Sequence, residues 1–126
     1  MSTPVEKSGP IRTFVFAFRG IAEMLRTERN ARIHAFATAL VIGFGFALGV
    51  DRSEWIALVL AIAFVWSAEG FNTAFEALCD VASPDYHPQV KRAKDIAAGA
   101  VLLAAIGAAL IAILILGRRI LLLMAG

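Results

Sequence analysis

The chain has 126 residues, 60% of them hydrophobic and only 17% charged, with a net charge of +2. Soluble domains run near 45–50% apolar and about 25% charged, so a lipid bilayer is the expected solvent. The single cysteine, Cys79, excludes an internal disulfide and a multi-cysteine metal site. The small charge, without a basic-aromatic surface pattern, excludes nucleic acid as a partner.

The first ten residues, MSTPVEKSGP, are polar and lack the features of a secretory signal, so the membrane segments are expected to persist in the mature protein. A surface helix is predicted over about residues 11–30. Phe14, Phe18, Ile21 and Leu25 recur on one face, with Arg12, Arg19, Glu23 and Arg26 elsewhere on the wheel. An aromatic-aliphatic face with an arginine-rich flank suits the plane of a membrane surface; a core helix of the bundle is the alternative. Glu28 ends this segment in TERNARIH, where it is either a ligand or the i,i+4 partner of Arg32.

Three transmembrane spans are expected, at about 33–50, 55–78 and 96–117. The last carries no charge over its whole length, and roughly 20 apolar residues cross a bilayer as a helix. His34 is the sole ionisable group in the first. Gly45 and Gly49 form a G-x-x-x-G there, and Ala100, Ala104, Ala108 and Ala112 form a ridge on the third span. Such small residues let helices approach closely in lipid. The expected fold is therefore all-α, an amphipathic surface helix followed by three transmembrane helices in a single domain spanning 1–126.

Nine of the twelve Lys and Arg residues precede the first span or lie between the second and third. The positive-inside rule then predicts a cytoplasmic N-terminus, a cytoplasmic Asp80–Asp95 loop and an external DRSE loop, Asp51 to Glu54. Arg118 and Arg119 fall on the side that the rule disfavours.

The second span is interrupted by Glu69, Asn72, Thr73, Glu76 and Asp80. Taking Glu69 as zero on the helical wheel, these fall near about −60°, +40°, −20° and +20°. They share one stripe, while Phe71, Phe75 and Leu78 lie off it. A carboxylate at membrane depth costs on the order of 2.5–3.5 kcal/mol, so the stripe should face a bundle interior or a wet cavity. Three roles fit: Mg²⁺ coordination, general-base catalysis by a shielded carboxylate, or a structural seam paired with neighbouring helices. The following segment, ASPDYHPQVKRAKD, adds Tyr86, His87, Lys91, Arg92, Lys94 and Asp95. Cations beside carboxylates suit Mg²⁺-bound phosphate, although no glycine-rich phosphate loop is present.

E-G-F-N-T-A-F-E-A-L-C-D (Glu69–Asp80), Tyr86-His87, K-R-A-K-D-I-A-A-G-A-V-L-L (Lys91–Leu103) and TERNARIH together resemble the small bacterial diacylglycerol kinases, a family that includes undecaprenol kinases. The resemblance covers roughly residues 12 to 117. It implies a homotrimer in the bacterial inner (cytoplasmic) membrane, its active site facing the cytoplasm, that transfers the γ-phosphate of MgATP to a lipid hydroxyl. Glu69 is implied as the general base, and Glu28 and Glu76 as holders of Mg²⁺. Asn72, Glu76, Asp80, Tyr86, His87, Lys94 and Asp95 are implied on ATP, and Glu69 with Ala98 on the lipid. Diacylglycerol is the lipid expected from the family as a whole, and undecaprenol is the alternative, since TERNARIH and A-A-G-A-V-L-L are more similar to that branch. A small transporter using the carboxylates for proton coupling, or a structural subunit, are the competing classes.

Overall fold

Proline at a first helical position loses nothing, because that N–H has no partner within the helix. Pro10 and Pro88 use this rule to start the first and last helices. The computed structural model describes residues 9–126; Lys7, which enters the charge bias, lies outside the described residues. Among the described residues the order is α1 (Pro10–Thr27), α2 (Arg29–Leu48), α3 (Arg52–Ala82) and α4 (Pro88–Ala125), with no strand. The last three are long and apolar enough to cross a membrane.

The boundaries differ from the sequence expectation for local reasons. The chain breaks between α1 and α2 at Glu28, whose φ of −103° and ψ of 116° are extended. Arg32 is not the partner of the Glu28 carboxylate. Its Nη1 donates to the carbonyl oxygens of Leu25, at 3.2 Å, and Arg26, at 3.1 Å. A cation there satisfies orphan carbonyls and complements the helix dipole. α2 ends in a left-handed turn at Gly49, φ 64°, where Val50 N–H donates to Gly45 at 3.2 Å. That is a glycine C-terminal cap, so Gly49 stops a helix and is not part of a helix-packing ridge. Gly45 does serve close approach: a Cβ there would come within 2.6 Å of the Trp55 ring on α3.

α3 opens with a reciprocal capping box. The Asp51 carboxylate accepts the Glu54 N–H at 2.9 Å, and Glu54 Oε1 accepts the Asp51 N–H at 3.1 Å. The first bond, with a second from the Ser53 hydroxyl, holds the Asp51 carboxyl below its ordinary range. α4 begins far earlier than the expected 96. His87 caps it, its Nδ1 accepting the Gln89 N–H at 3.1 Å, so Lys91, Lys94 and Asp95 ride on a helix. The connection itself is only residues 83–87.

α3 and α4 have 31 and 38 residues, about 46 and 57 Å of helix at 1.5 Å per residue. Both outrun the roughly 30 Å hydrocarbon core. Their polar ends, around the 83–87 connection, therefore project beyond it. The two make the most extensive helix contact in the subunit, joined at the opposite end by Arg119. Its guanidinium bonds both carboxylate oxygens of Glu54 and lies 3.4 Å from Asp51. The arginine that looked misplaced by charge counting is neutralised by the α2–α3 hairpin. We expect Arg119→Met to lower the thermal midpoint in detergent, followed by circular dichroism, and Glu54→Gln added to it to restore much of the loss. An unpaired carboxylate costs more than two neutral groups.

The core is small: Met24, Ala31, Val50, Leu58, Ala61 and Val65 are buried apolar residues, and α4 has none. Phe14 and Phe18 of α1 are two-thirds exposed, so α1 turns its aromatic face out of the subunit as a surface helix does. Lipid, not water, is the solvent for which this exposure is favourable.

Candidate active site

Among the described residues one charged side chain stands in that core. Glu69 on α3 is 1% exposed, although a buried carboxylate is costly unless paired. It lies at the seam where α2 and α3 meet. His34 Nε2 on α2 is 3.5 Å from Glu69 Oε2, an ion-pair separation too loose for a hydrogen bond, so Oε2 has no hydrogen-bond partner. One turn away along each helix, Trp66 Nε1 donates to Thr38 Oγ1 at 2.9 Å. That bond locks the register of the two helices beside the carboxylate.

From Glu69 the stripe climbs towards the polar end of α3. Asn72, Thr73 and Glu76 are half-buried and Asp80 is exposed. Asp80 is eleven residues on, about 16 Å along the axis. Asn72 Oδ1 and Thr73 Oγ1 are buried without partners. Buried polar atoms are almost always paired in native folds, so three unpaired oxygens on one helix face call for polar partners from outside the described residues. Glu28, in the extended link between α1 and α2, and Glu76 lie near enough for their charges to act on Glu69. α1 reaches the same region through Met24, whose sulfur lies against Gly70.

The remaining sequence candidates divide. Lys94 Nζ donates to Asp80 Oδ1 at 2.6 Å, tying α4 to the outer end of the stripe. Asp95 turns instead to Lys91, also at 2.6 Å on the same helix. His87 is spent on capping α4, Tyr86 is exposed beside it, and Ala98 is exposed on α4. The structure thus gathers Glu28, Glu69, Asn72 and Glu76 around one seam, brings Lys94 and Asp80 together at its mouth, and leaves Asp95, Tyr86, His87 and Ala98 outside these contacts.

Among the described residues no three His, Cys, Asp or Glu side chains converge as a ready-made metal nest. The donor set nevertheless fits a hard divalent cation. Glu28, Glu76 and the unpaired Asn72 oxygen would offer such an ion oxygen donors only, and Mg²⁺ takes one or two carboxylates with substrate phosphates completing its shell.

Two apolar spaces flank the seam. A cavity of about 250 Å³ lies between α2, α3 and α4, with His34 and Thr38 at its polar edge and Leu58, Val65 and Ala108 among its walls. An open groove of about 510 Å³ runs between α3 and α4, lined by Phe71, Phe75, Leu78, Ala97 and Ala100 and edged by Asn72. In the sequence His34 stands out only as a lone ionisable group. Its pairing with Glu69 required two helices to be placed side by side.

The family model described as prokaryotic diacylglycerol kinase matches residues 15–116. The chain is 42% identical over 104 residues to the undecaprenol kinase of Bacillus subtilis (strain 168), covering 82% of this chain and 85% of that one. It is 39% identical over 100 residues to a diacylglycerol kinase of Synechocystis sp., covering 79% of this chain and 57% of the relative. Against the diacylglycerol kinase of Escherichia coli (strain K12) it is 29% identical over 96 residues, 76% and 79% of the two chains. A matched family over most of the chain, a bundle built for lipid and a buried carboxylate at the head of a polar stripe agree: this chain belongs to the prokaryotic diacylglycerol kinase family and is a membrane lipid kinase.

Proposed function

We propose that the protein transfers the γ-phosphate of ATP to the terminal hydroxyl of a membrane lipid alcohol, with undecaprenol as the favoured acceptor. The observation carrying the mechanism is Glu69, a fully buried carboxylate with one unpaired oxygen, standing at the membrane end of a stripe that opens towards Asp80 and Lys94. A lipid hydroxyl reaches Glu69 from the hydrocarbon side, and a nucleotide reaches the outer end from water. Glu69 takes the hydroxyl proton, the lipid oxygen forms its bond to the γ-phosphorus, and the bond to the ADP oxygen breaks. Phosphoryl transfer asks the protein mainly for positioning and charge neutralisation.

Lys94 is held by Asp80 and exchanges that carboxylate for phosphate oxygens when ATP enters. Glu28 and Glu76, with Asn72, would hold Mg²⁺, which supplies neutralisation of phosphate charge when bound. In this reading Asp95, Tyr86 and His87 contact the nucleotide and Ala98 contacts the lipid once both substrates are bound. The nine basic residues that in sequence precede the first span or lie between the second and third, against three elsewhere, favour a cytoplasmic active site in the bacterial inner membrane. The exposed apolar faces of α1 to α4 favour further burial in a homotrimer, whose neighbouring subunits would close the open groove.

Undecaprenol is favoured by the 42% identity to an undecaprenol kinase that the chain matches over 85% of its length. Diacylglycerol is the second reading, supported by the 39% identical cyanobacterial relative. Purified protein in mixed micelles with MgATP should be offered the two lipids in parallel, and labelled phosphate followed into each. Undecaprenol should show the higher kcat/KM. A reversed preference replaces it with diacylglycerol, and phosphate entering neither lipid overturns the reading.

A further inference from the structure

Glu69 has a neighbour whose chemistry the phosphoryl-transfer scheme leaves unused. His34 sits on α2, its side chain 18% exposed, with Nε2 3.5 Å from Glu69 Oε2. Apart from Thr38, one turn along α2, everything else that lines the adjoining cavity around the ring is apolar. Ala37, Val41, Leu58, Val65 and Ala108 carry no polar side chain, and the Thr38 hydroxyl accepts from Trp66. The charged groups that reach Glu69 besides His34 are Glu28 and Glu76, which carry no hydrogen to donate when ionised. Among the described residues, the Asn72 amide and the Thr73 hydroxyl make no hydrogen bond to the unpaired oxygen, and His34 is the donor that faces it across the seam at 3.5 Å.

The separation is longer than a hydrogen bond, as catalytic contacts often are before substrate binds. Closing it requires only a few tenths of an ångström. The Thr38–Trp66 bond, one turn away on both helices, prevents α2 and α3 from sliding and keeps the two groups opposed.

We infer that His34 is a positioning residue: its Nε2–H donates to Glu69 Oε2 and aims the other carboxylate oxygen at the lipid hydroxyl. The inference rests on the reading of Glu69 as the base. A carboxylate with one oxygen tied and the other free presents a defined lone pair to the incoming proton. Without the tie it rotates, and productive encounters become rarer although both substrates still bind.

The test compares His34→Ala and His34→Gln in the full-length protein in mixed micelles, with Glu69→Gln alongside. A glutamine amide carries N–H near the position of Nε2, so it keeps the donor and removes the imidazole. His34→Ala should lower kcat about 10- to 100-fold, the range spanned by a hydrogen bond to a charged group, while His34→Gln recovers to within about 5-fold of the parent. The KM values for ATP and lipid should stay within about 2-fold, since binding is not the step affected. Helical content and oligomer size, measured for each variant, should match the parent.

Unchanged kcat in His34→Ala overturns the proposal, as does a His34→Gln variant no better than alanine despite normal assembly. A rise in KM with kcat preserved would assign His34 to substrate binding instead. Full activity in Glu69→Gln would remove the parent reading itself, a result distinguishable from an inactive Glu69→Gln accompanied by an unaffected His34→Ala.

Discussion

Glu69→Gln should abolish lipid phosphorylation while leaving the protein folded. The substitution keeps the shape of the side chain and one carbonyl oxygen but removes the group that accepts a proton. General-base catalysis contributes about 10²–10⁴-fold to rate, so kcat should fall by at least that order. Helical content and oligomer size should be unchanged, because the carboxylate is a poor stabiliser where it stands: it is buried, one oxygen has no partner, and two further carboxylates act on it. A neutral amide in that position relieves repulsion. The thermal midpoint of the variant should therefore equal or exceed that of the parent. A fall in stability with turnover preserved would instead make the stripe a structural seam. The measurement is labelled phosphate in lipid, read beside a thermal melt of the same preparation.

Glu76→Gln and Glu28→Gln should act differently, through the divalent ion. Both residues are half-buried, beside Glu69 but not sealed with it. They come from separate elements, the α1–α2 link and the C-terminal third of α3. Carboxylates brought together from two elements suit a cation that bridges them with phosphate oxygens. Losing either should raise the Mg²⁺ concentration for half-maximal rate by at least about 10-fold, since even supporting partners of a metal site cost that much. Part of the lost rate should return at high Mg²⁺, a rescue that Glu69→Gln cannot show. A Mg²⁺ titration at saturating ATP and lipid separates the two behaviours. Identical Mg²⁺ dependence in parent and both variants would remove Glu28 and Glu76 from the metal.

Much of this site was legible in one dimension because helical periodicity projects directly onto a face. Glu69, Asn72, Thr73, Glu76 and Asp80 fall on one stripe by spacing alone, and no packing detail can move them off it. The unusual cost of carboxylates in an apolar run made the stripe conspicuous. Length and composition likewise determined three crossings and a surface helix, since a bilayer admits few alternatives.

Other features were decided only when helices met. The order of residues already put Glu69 deepest and Asp80 at the loop end, but left open how steeply burial falls from one to the other. That gradient comes from α2 covering one end of α3 while the other projects past it. Arg119 looked contrary to the charge rule until its partner Glu54, sixty-five residues earlier, proved to lie beside it. Lys94 likewise reads as a loop cation until the His87 cap places it on a helix facing Asp80. His34 is the sharpest case. Within α2 it is a lone polar group in an apolar span, and only the Thr38–Trp66 register turns it towards Glu69. Intrahelical spacing is written in the chain because backbone geometry sets it. Pairing between helices depends on which side chains pack, and in a bundle with so few buried residues a single polar clasp decides which groups meet.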